Sequence, residues 1–254
     1  MKDTIINKLP ELSIVIPCYN EEAVLKISIT PLLELLKESH IEHEIILVNN
    51  GSKDKTADII DSFTTGGYPV RRVDVPVNIG YGWGIICGLK VVRGKYTGYM
   101  SADGQVRPED VLRIFRVMQN SSIGTVLTAV RINRADGWQR VLVSKFYNLL
   151  LHLLFGNIGK DANGTPRFFY KENLDLLKPV SKCSFIDPEI LIKAKYLKYK
   201  IVQIPVTFYD RQGGSSSVRV ISKSLEFLKD MFAFRFGTEY KLWRSAVKNG
   251  SQTK

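Results

Sequence analysis

The chain has 254 residues, with 36 Lys and Arg against 25 Asp and Glu, so its formal net charge is +11. Its 44% apolar and 24% charged residues are ordinary for a globular protein and exclude a disordered or collagen-like chain. Three cysteines without a CxxC pair exclude a disulfide framework and a thiolate zinc site. We expect no signal peptide and no apolar stretch of the roughly 18–20 residues that span a bilayer, hence a cytoplasmic protein, soluble or peripheral at the cytoplasmic face of a membrane.

The positive charge is concentrated in the last quarter of the chain. Residues 189–254 contain 13 Lys and Arg against 5 Asp and Glu, a net +8. Such a stretch binds nucleic acid, an anionic membrane or a phosphorylated ligand, or it is an ordinary solvated surface. No motif for RNA or DNA binding is present, so nucleic acid is not an expected partner.

Apolar runs alternate with helical patterns over the first two thirds of the chain. The predicted strands are Leu12–Pro17, Glu44–Val48, Val70–Val75, Tyr96–Met100, Gly124–Val130 and, later, Ile201–Phe208. The predicted helices between them run from Asn20 to about Ser39 with a kink at Pro31, from a cap at Asp54 to Phe63, over Trp83–Val92, and over Pro108–Gln119. This alternation predicts an α/β fold with a mostly parallel sheet flanked by helices, whose ligands bind beyond the carboxyl ends of the strands.

The second half of the chain is predicted to be more helical. Gly137–Phe155 reads as a helix whose second half is apolar almost all round, which suits buried core or a membrane interface. Arg211–Ser217 is a Gly/Ser-rich loop, and a helix is predicted from Val218 to about Trp243. We therefore divide the chain into a domain over residues 1–217 and a C-terminal helical extension and tail over residues 218–254.

One short motif combines oxygen ligands directly after a strand. In Ser101-Ala-Asp-Gly-Gln105, a carboxylate and an amide stand where Mg²⁺ or Mn²⁺ could be shared between protein and substrate phosphates. The alternative is a tight turn ahead of the next helix, because Asp-Gly is a common turn pair.

Four motifs of this kind follow one another at intervals of roughly thirty residues. They are Ile16–Glu21, Val48–Thr56, Asn78–Gly84 and Ser101–Gln105. This ordered set resembles the family 2 glycosyltransferases of the GT-A (Rossmann-like) fold, in the branch that includes dolichyl-phosphate mannose synthase. The resemblance extends from about Leu12 to Phe236.

The resemblance implies a nucleotide-sugar donor site and a metal cofactor. The implied donor-binding residues are Pro17, Tyr19, Glu21, Asn49, Asn50, Asn78, Gly80, Gly84, Ala102 and Asp103. Asn49 and Asn50 replace the aspartate that usually contacts the base, which leaves the donor base open between UDP- and GDP-linked sugars. Asp103 and Gln105 match the last two ligands of the family's Asp-x-Asp-x-Gln pattern, with Ser101 in the first position, so Mg²⁺ or Mn²⁺ is expected to bind together with the donor.

The resemblance also implies an acceptor site. Its implied residues are Arg131, Arg140, Ser144, Ser216 and Arg219. Guanidinium groups match phosphate bidentately, although ordinary salt bridges would explain the arginines equally well. Arg211 begins a loop similar to the family's Arg-x-x-Gly-x-Ser-Lys segment over the pyrophosphate, with Ser217 in place of the lysine.

Asp187 matches the family's acid near the acceptor, and with Asp103 and Arg211 it completes the implied catalytic set. It would be the general base for a hydroxyl acceptor, whereas a phosphate acceptor needs no base; Asp187 could also cap a helix ahead of Pro188. The resulting expectation is an inverting hexosyltransferase that acts on a polyprenyl phosphate at an anionic membrane surface. The alternatives are transfer to a hydroxyl of a cell-surface polysaccharide or lipid-linked glycan, and a non-catalytic nucleotide-sugar-binding protein.

Overall fold

The computed structural model describes residues 9–132, 138–210 and 220–250, without the side chains of residues 138–143, 220–225 and 250. The strands are β1 Leu12–Cys18, β2 His43–Asn50, β3 Val70–Val75, β4 Tyr96–Tyr99, β5 Thr125–Ile132, β6 Arg167–Tyr170 and β7 Lys200–Thr207. The helices are α1 Leu25–Glu38, α2 Thr56–Thr65, α3 Tyr81–Leu89, α4 Pro108–Gln119, α5 Trp138–Phe155, α6 Leu174–Leu177, α7 Ile186–Tyr196, α8 Val220–Phe236 and α9 Thr238–Gly250, with a 3-10 turn at Lys171–Asn173.

The described strands form one sheet in the order β3-β2-β1-β4-β6-β5-β7. The pairs among β1 to β4 are parallel, as is β5 with β7, while β6 runs antiparallel to both β4 and β5. The predicted α/β fold with a mostly parallel sheet is therefore confirmed. The antiparallel strand β6 was not predicted, because a four-residue run that begins with arginine carries little strand signal.

Apolar side chains on both faces of the central strands explain why helices cover the sheet on two sides. All seven residues of β1 are buried, and alternate residues point to opposite faces. Leu12, Ile14 and Ile16 pack into a core with residues of α1, α2 and α4. Val15 packs into a second core with residues of α3 and α5 to α9.

The starts of α1 and α2 differ from the prediction for a common reason, and α3 covers Tyr81–Leu89 instead of the predicted Trp83–Val92. α1 begins at Leu25, not at Asn20, and α2 begins at Thr56. The backbone of residues 20–22 is engaged instead in hydrogen bonds to residues 52–56, and Asn20 has a φ of 54°. Asp54 lies one residue ahead of the helix cap position, where its carboxylate accepts the N–H and hydroxyl of Thr56.

The single C-terminal helix predicted to about Trp243 is wrong, because the chain forms two helices separated at Gly237. Glycine lowers helix propensity, and a Cβ at this position would overlap the carbonyl oxygen of Ala233. α8 lies against α5, where the rings of Tyr147 and Phe227 are 5.3 Å apart. Among the described residues, no helix has the length and apolar character needed to cross a bilayer.

Candidate active site

Three loops leave the carboxyl ends of β1, β2 and β4, which lie side by side in the sheet. Hydrogen bonds join the first two loops: Asn20 N–H donates to Ser52 Oγ at 3.2 Å, and Lys53 N–H donates to Asn20 Oδ1 at 2.8 Å. Glu21 N–H donates to Thr56 Oγ1 at 2.8 Å. The first two sequence motifs are therefore one structural unit at the predicted crevice.

The two asparagines at the end of β2 make different contacts. Asn50 is 2% exposed, and its Nδ2 donates to the carbonyl oxygen of Gly80 at 3.1 Å and to Asn78 Oδ1 at 3.4 Å. Asn49 is half-buried, and its Nδ2 donates to Oδ1 of the exposed Asp74 at 2.9 Å. Asn50 thus connects β2 to the glycine-rich loop, while Asn49 lies at the more open edge of the sheet.

Glycine allows that loop to approach the strands closely. Gly80 has a φ of 136°, a conformation that strains any residue with a side chain. A Cβ at Gly84 would lie 3.0 Å from Cβ of Pro17 and 3.2 Å from Nδ2 of Asn50. The structure therefore brings together Pro17, Asn50, Gly80 and Gly84, with Tyr19, which is 44% exposed, just beyond β1.

The metal motif follows β4 and is half-buried. Asp103 Oδ1 accepts the N–H of Gln105 at 3.2 Å, and Gln105 Nε2 donates to the carbonyl oxygen of Tyr209 at 3.0 Å. The amide of Gln105 thus donates through its nitrogen, which leaves its oxygen to bind a cation. No cluster of three or more metal-binding side chains occurs in the described parts of the chain. Oxygen donors with a single carboxylate fit a hard cation such as Mg²⁺ or Mn²⁺ that takes further ligands from a diphosphate.

Asp187 lies on the first turn of α7 and is 5% exposed. Tyr99 donates its hydroxyl to Asp187 Oδ1 at 2.8 Å, and Arg167 Nη1 lies 3.7 Å from the same oxygen. Arg167 is fully buried and also donates to the Tyr99 hydroxyl at 3.0 Å and to the backbone carbonyl of Asp187. The alternative that Asp187 caps a helix is therefore wrong, because Phe185 occupies the cap position. The carboxylate of Asp187 instead accepts a hydrogen bond from Tyr99 on β4.

Burial perturbs the titration of this cluster. It raises the pKa of Asp187 to about 6, although Arg167 and Tyr99 oppose the shift. Burial, with the charge of Asp187, also raises the pKa of Tyr81, which shares a hydrogen bond with Ser101 and feels the charge of Asp103. The phenol of Tyr81 thus lies within electrostatic range of both predicted catalytic carboxylates, Asp187 and Asp103.

Arg131 forms an ion pair with a buried carboxylate. Its Nε lies 2.7 Å from Asp161 Oδ2 and its Nη2 2.8 Å from Asp161 Oδ1, and Asp161 is 6% exposed. Although burial opposes it, the guanidinium holds the pKa of Asp161 below its usual value. Both charges act on Asp187, so the pair lies near the acid. The salt-bridge interpretation of Arg131 is therefore what the structure shows.

The remaining predicted residues are divided between described and undescribed parts of the chain. Ser144 is half-buried on α5, and Ala102 is buried in the loop after β4. The side chain of Arg140 and the residues Arg211, Ser216 and Arg219 lie outside the described residues.

No motif in the sequence indicates the partners of Asp187 and Arg131. Tyr99 is the last residue of β4, and its sequence context resembles that of an ordinary core residue. Asp161 lies in a loop without a recognisable motif. Arg167 carried one usable signal, a lone charge at the start of the apolar run Arg-Phe-Phe-Tyr. A charge that is retained within a core strand is usually paired there.

Sequence comparison identifies a family and several relatives. The model of glycosyl transferase family 2 matches residues 13–191. A dolichyl-phosphate beta-glucosyltransferase of Trichomonas vaginalis is 29% identical over 245 residues, which cover 89% of this chain and 74% of that protein. An undecaprenyl-phosphate 4-deoxy-4-formamido-L-arabinose transferase of Sodalis glossinidius is 28% identical over 210 residues, which cover 82% of this chain and 63% of that protein.

Structure comparison finds the same architecture in solved enzymes. Glucosyl-3-phosphoglycerate synthase from Mycobacterium tuberculosis, in complex with Mn²⁺, UDP and glucosyl-3-phosphoglycerate, superposes with a TM-score of 0.68 at 18% identity, covering 90% of this chain and 80% of that one. The same enzyme with Mg²⁺ and UDP gives a TM-score of 0.67 at 18% identity, with the same coverage. At this identity the likeness establishes the fold.

Proposed function

The chain belongs to glycosyl transferase family 2, and from that premise we propose that it transfers a hexose from a UDP- or GDP-linked donor to a polyprenyl phosphate, with inversion at the anomeric carbon. The names of its relatives support this acceptor class, since they act on dolichyl phosphate and undecaprenyl phosphate. The Mn²⁺ or Mg²⁺ and UDP bound by the structural neighbour support the donor class and a metal cofactor.

The donor half of the site is the crevice at the ends of β1, β2 and β4. Pro17, Tyr19 and Asn49 would line the nucleotide, and the glycine-rich loop would pass along it. Asp103 and Gln105 would hold Mg²⁺ or Mn²⁺, which when bound offsets the charge that develops on the leaving diphosphate. The family resemblance assigns Arg211, which lies outside the described residues, to the same diphosphate.

The burial of Asp187 is the observation that carries the acceptor class. One carboxylate oxygen accepts from Tyr99, and the residue is 5% exposed, so it suits an electrostatic and positioning role better than that of a base exposed to the acceptor. A phosphate monoester has a second pKa near ~6, is an anion at neutral pH and needs no base. It needs cations, and Arg131 supplies a guanidinium close to Asp187.

One observation favours a second candidate, transfer to a sugar hydroxyl. The pKa of Asp187, raised to about 6 by burial, lies near the value that suits a general base at neutral pH. A hydroxyl acceptor would need such a base, and loss of that base would cost about 10²–10⁴ in rate.

Two variants separate the two acceptors. For a phosphate acceptor, Asp187→Asn keeps turnover within about tenfold of the wild type, because no proton is removed. Arg131→Gln loses more activity, because the phosphate loses the positive charge of a guanidinium close to Asp187. The opposite ranking, with Asp187→Asn near inactive and Arg131→Gln mildly affected, supports the hydroxyl acceptor and refutes the phosphate.

A matched pair of controls isolates the role of Arg131 in binding. Arg131→Gln leaves the buried Asp161 without its partner and so lowers stability as well as activity. The double variant Arg131→Gln/Asp161→Asn removes both charges and restores stability, yet its acceptor KM stays raised. Asp161→Asn alone keeps the guanidinium, and its acceptor KM stays near that of the wild type.

We also propose peripheral contact with an anionic membrane. α5 exposes 56% of Phe146, 55% of Leu149 and 72% of Leu153, at a helical spacing that places them on one face. On the adjacent α8, Phe232 and Phe236 are 45% and 61% exposed and stack 6.2 Å apart. With the basic C-terminal quarter, this apolar face favours a surface location at the cytoplasmic side of a membrane.

We keep the division into a catalytic domain over residues 1–217 and an extension over residues 218–254 as a proposal. The family model ends at residue 191, which is consistent with a boundary in the C-terminal part of the chain. α9 nevertheless packs back on the domain, since Trp243 Nε1 donates to the carbonyl oxygen of Leu176 at 2.7 Å. Separate expression of residues 1–217 tests the boundary, because a domain that is independent of the extension keeps its folded stability.

A further inference from the structure

A buried ion pair on α7 has no part in the site described above. Lys193 Nζ lies 2.5 Å from Glu189 Oε1, and the two side chains are 1% and 0% exposed. A fully buried pair gains little net stability, because the loss of hydration offsets the attraction between the charges. The contribution of the pair therefore depends on the backbone segment that it holds in place.

The pair fixes one stretch of backbone through both of its charges. The carboxylate of Glu189 accepts the N–H of Val180 at 2.9 Å and the N–H of Ser181 at 2.7 Å. The ammonium of Lys193 donates to the carbonyl oxygen of Lys178 at 2.7 Å. Residues 178–184, here called the connecting segment, are thus held by three hydrogen bonds to one ion pair.

The connecting segment is in direct contact with the glycine-rich donor loop Asn78–Gly84, whose last four residues form the first turn of α3. Trp83 N–H donates to the carbonyl oxygen of Lys182 at 2.9 Å. A Cβ at Gly82 would overlap the carbonyl oxygens of Ser181 and Cys183, so the two backbones touch. Because no flexible side chain separates them, a shift of the connecting segment displaces the loop.

The same segment leads directly into the helix that carries the acid. Asp187 N–H donates to the carbonyl oxygen of Ser184 at 3.4 Å. The C-terminal helix α9 covers the ion pair, with the ring of Trp243 centred 5.1 Å from Lys193 Nζ. The pair therefore fixes a segment that contacts the donor loop and leads into the helix of Asp187.

We propose that Glu189 and Lys193 are positioning residues for glycosyl transfer, which hold the connecting segment so that the loop Asn78–Gly84 and Asp187 keep a fixed separation. This inference rests on the proposed donor site. Neither residue touches the reacting groups in this account, and both act through the backbone of residues 178–184.

Two variants test this role. Glu189→Gln has the same shape, but its NH₂ group cannot accept a backbone N–H, so one of the two contacts is lost. Glu189→Gln/Lys193→Met also removes the unpaired ammonium, and we expect it to recover much of the stability lost in the single variant. The control is Glu44→Gln, which removes a buried carboxylate that pairs with the partly exposed Arg71 and Arg93 at the amino end of β2.

The kinetic readout is the donor KM, which does not depend on the fraction of active enzyme. We expect a rise of at least about fivefold in both Glu189 variants, with the acceptor KM unchanged. Glu44→Gln should lower stability without changing either KM. An unchanged donor KM in the two Glu189 variants, or an equal rise in the control, would overturn the proposal.

Hydrogen exchange supplies a readout that does not depend on the proposed function. In both Glu189 variants, amides of residues 80–86 should exchange at least about tenfold faster, while those of β1 keep wild-type rates. Glu44→Gln should leave residues 80–86 unchanged. If the wild type shows no transfer, the proposed function fails, and exchange alone decides the inference: unchanged rates at residues 80–86 would overturn it.

Discussion

Replacing Asp187 by asparagine removes one buried negative charge with almost no change of shape. Tyr99 can still donate to the side-chain oxygen at this position, as it now does at 2.8 Å. Arg167 keeps other acceptors, among them the carbonyl oxygen of Ala162 at 2.9 Å. The main physical change is therefore the loss of a group whose protonation differs between the folded and unfolded chain.

The magnitude follows from the two pKa values of this carboxyl. Burial raises the pKa of Asp187 to about 6 in the folded protein, whereas an unfolded chain has an aspartate pKa of about 3.9. A difference of about two units corresponds to about 3 kcal/mol. Because the folded pKa is the higher one, the folded state binds the proton more tightly. The stability from that proton is full below about pH 4 and is lost as the pH rises through 6.

Urea denaturation of both proteins between pH 4 and 7.5 measures the effect. The free energy of unfolding of Asp187→Asn, relative to the wild type, should rise by about 2.4 kcal/mol over this range, equivalent to very roughly 5–10 °C in Tm. A difference that does not change with pH, or that falls as pH rises, would refute the reasoning.

Glu44→Gln provides a control with the opposite sign. Against the effect of burial, hydrogen bonds from Ser13, Arg93 and Arg71 hold the pKa of Glu44 below its usual value. A lowered pKa adds stability above the unfolded value, and this stability is lost as the pH falls. The deficit of Glu44→Gln relative to the wild type should therefore grow with rising pH.

Three further predictions concern the donor site and the membrane face. Asp103→Asn should weaken UDP binding in the presence of Mn²⁺ at least about tenfold in calorimetry. The same variant should leave UDP binding without metal unchanged. An equal loss in both conditions would contradict the metal assignment. Asn50→Asp should raise the donor KM and lower the Tm, because a carboxylate would face the oxygens of Gly80 and Asn78. A variant equal to the wild type would exclude this contact. Leu153→Ser should reduce co-sedimentation with anionic vesicles at least about fivefold. Val117→Ser, in the helical layer on the opposite face of the sheet, should not reduce it. Equal behaviour of the two variants would exclude the α5 face as the membrane contact.

The part of the fold that could be predicted is the part with local signals. β1 to β5 carry short apolar runs followed by polar or glycine-rich loops, and parallel sheets place such loops at one edge. The four motifs therefore indicate the position of the crevice from the sequence alone. The start of α1 was placed too early because Asn20 and its neighbours bond to a loop about thirty residues away, a contact that no local pattern reports.

The part of the site that could not be predicted depends on distant contacts. Asp187 was found through its motif, but its partner Tyr99 is 88 residues away, and Arg167 is 68 residues from Tyr99. β6, which carries Arg167, is inserted antiparallel between β4 and β5, and four residues are too few to indicate a pairing partner. Arg131 on β5 likewise pairs with Asp161 in a loop 30 positions away, a contact that no local pattern reports.

The central claim, hexose transfer to a polyprenyl phosphate, is tested most directly by a transfer assay. The purified 254-residue chain is incubated with UDP- or GDP-linked hexoses, Mn²⁺ and a polyprenyl phosphate in detergent, and the lipid product is identified by mass spectrometry. We expect a polyprenyl phosphate that has gained one hexose, with one donor base preferred and with almost no product from Asp103→Asn. Transfer to a glycan hydroxyl but not to the lipid phosphate would contradict the acceptor, and donor binding that ignores metal and yields no product would contradict the enzyme.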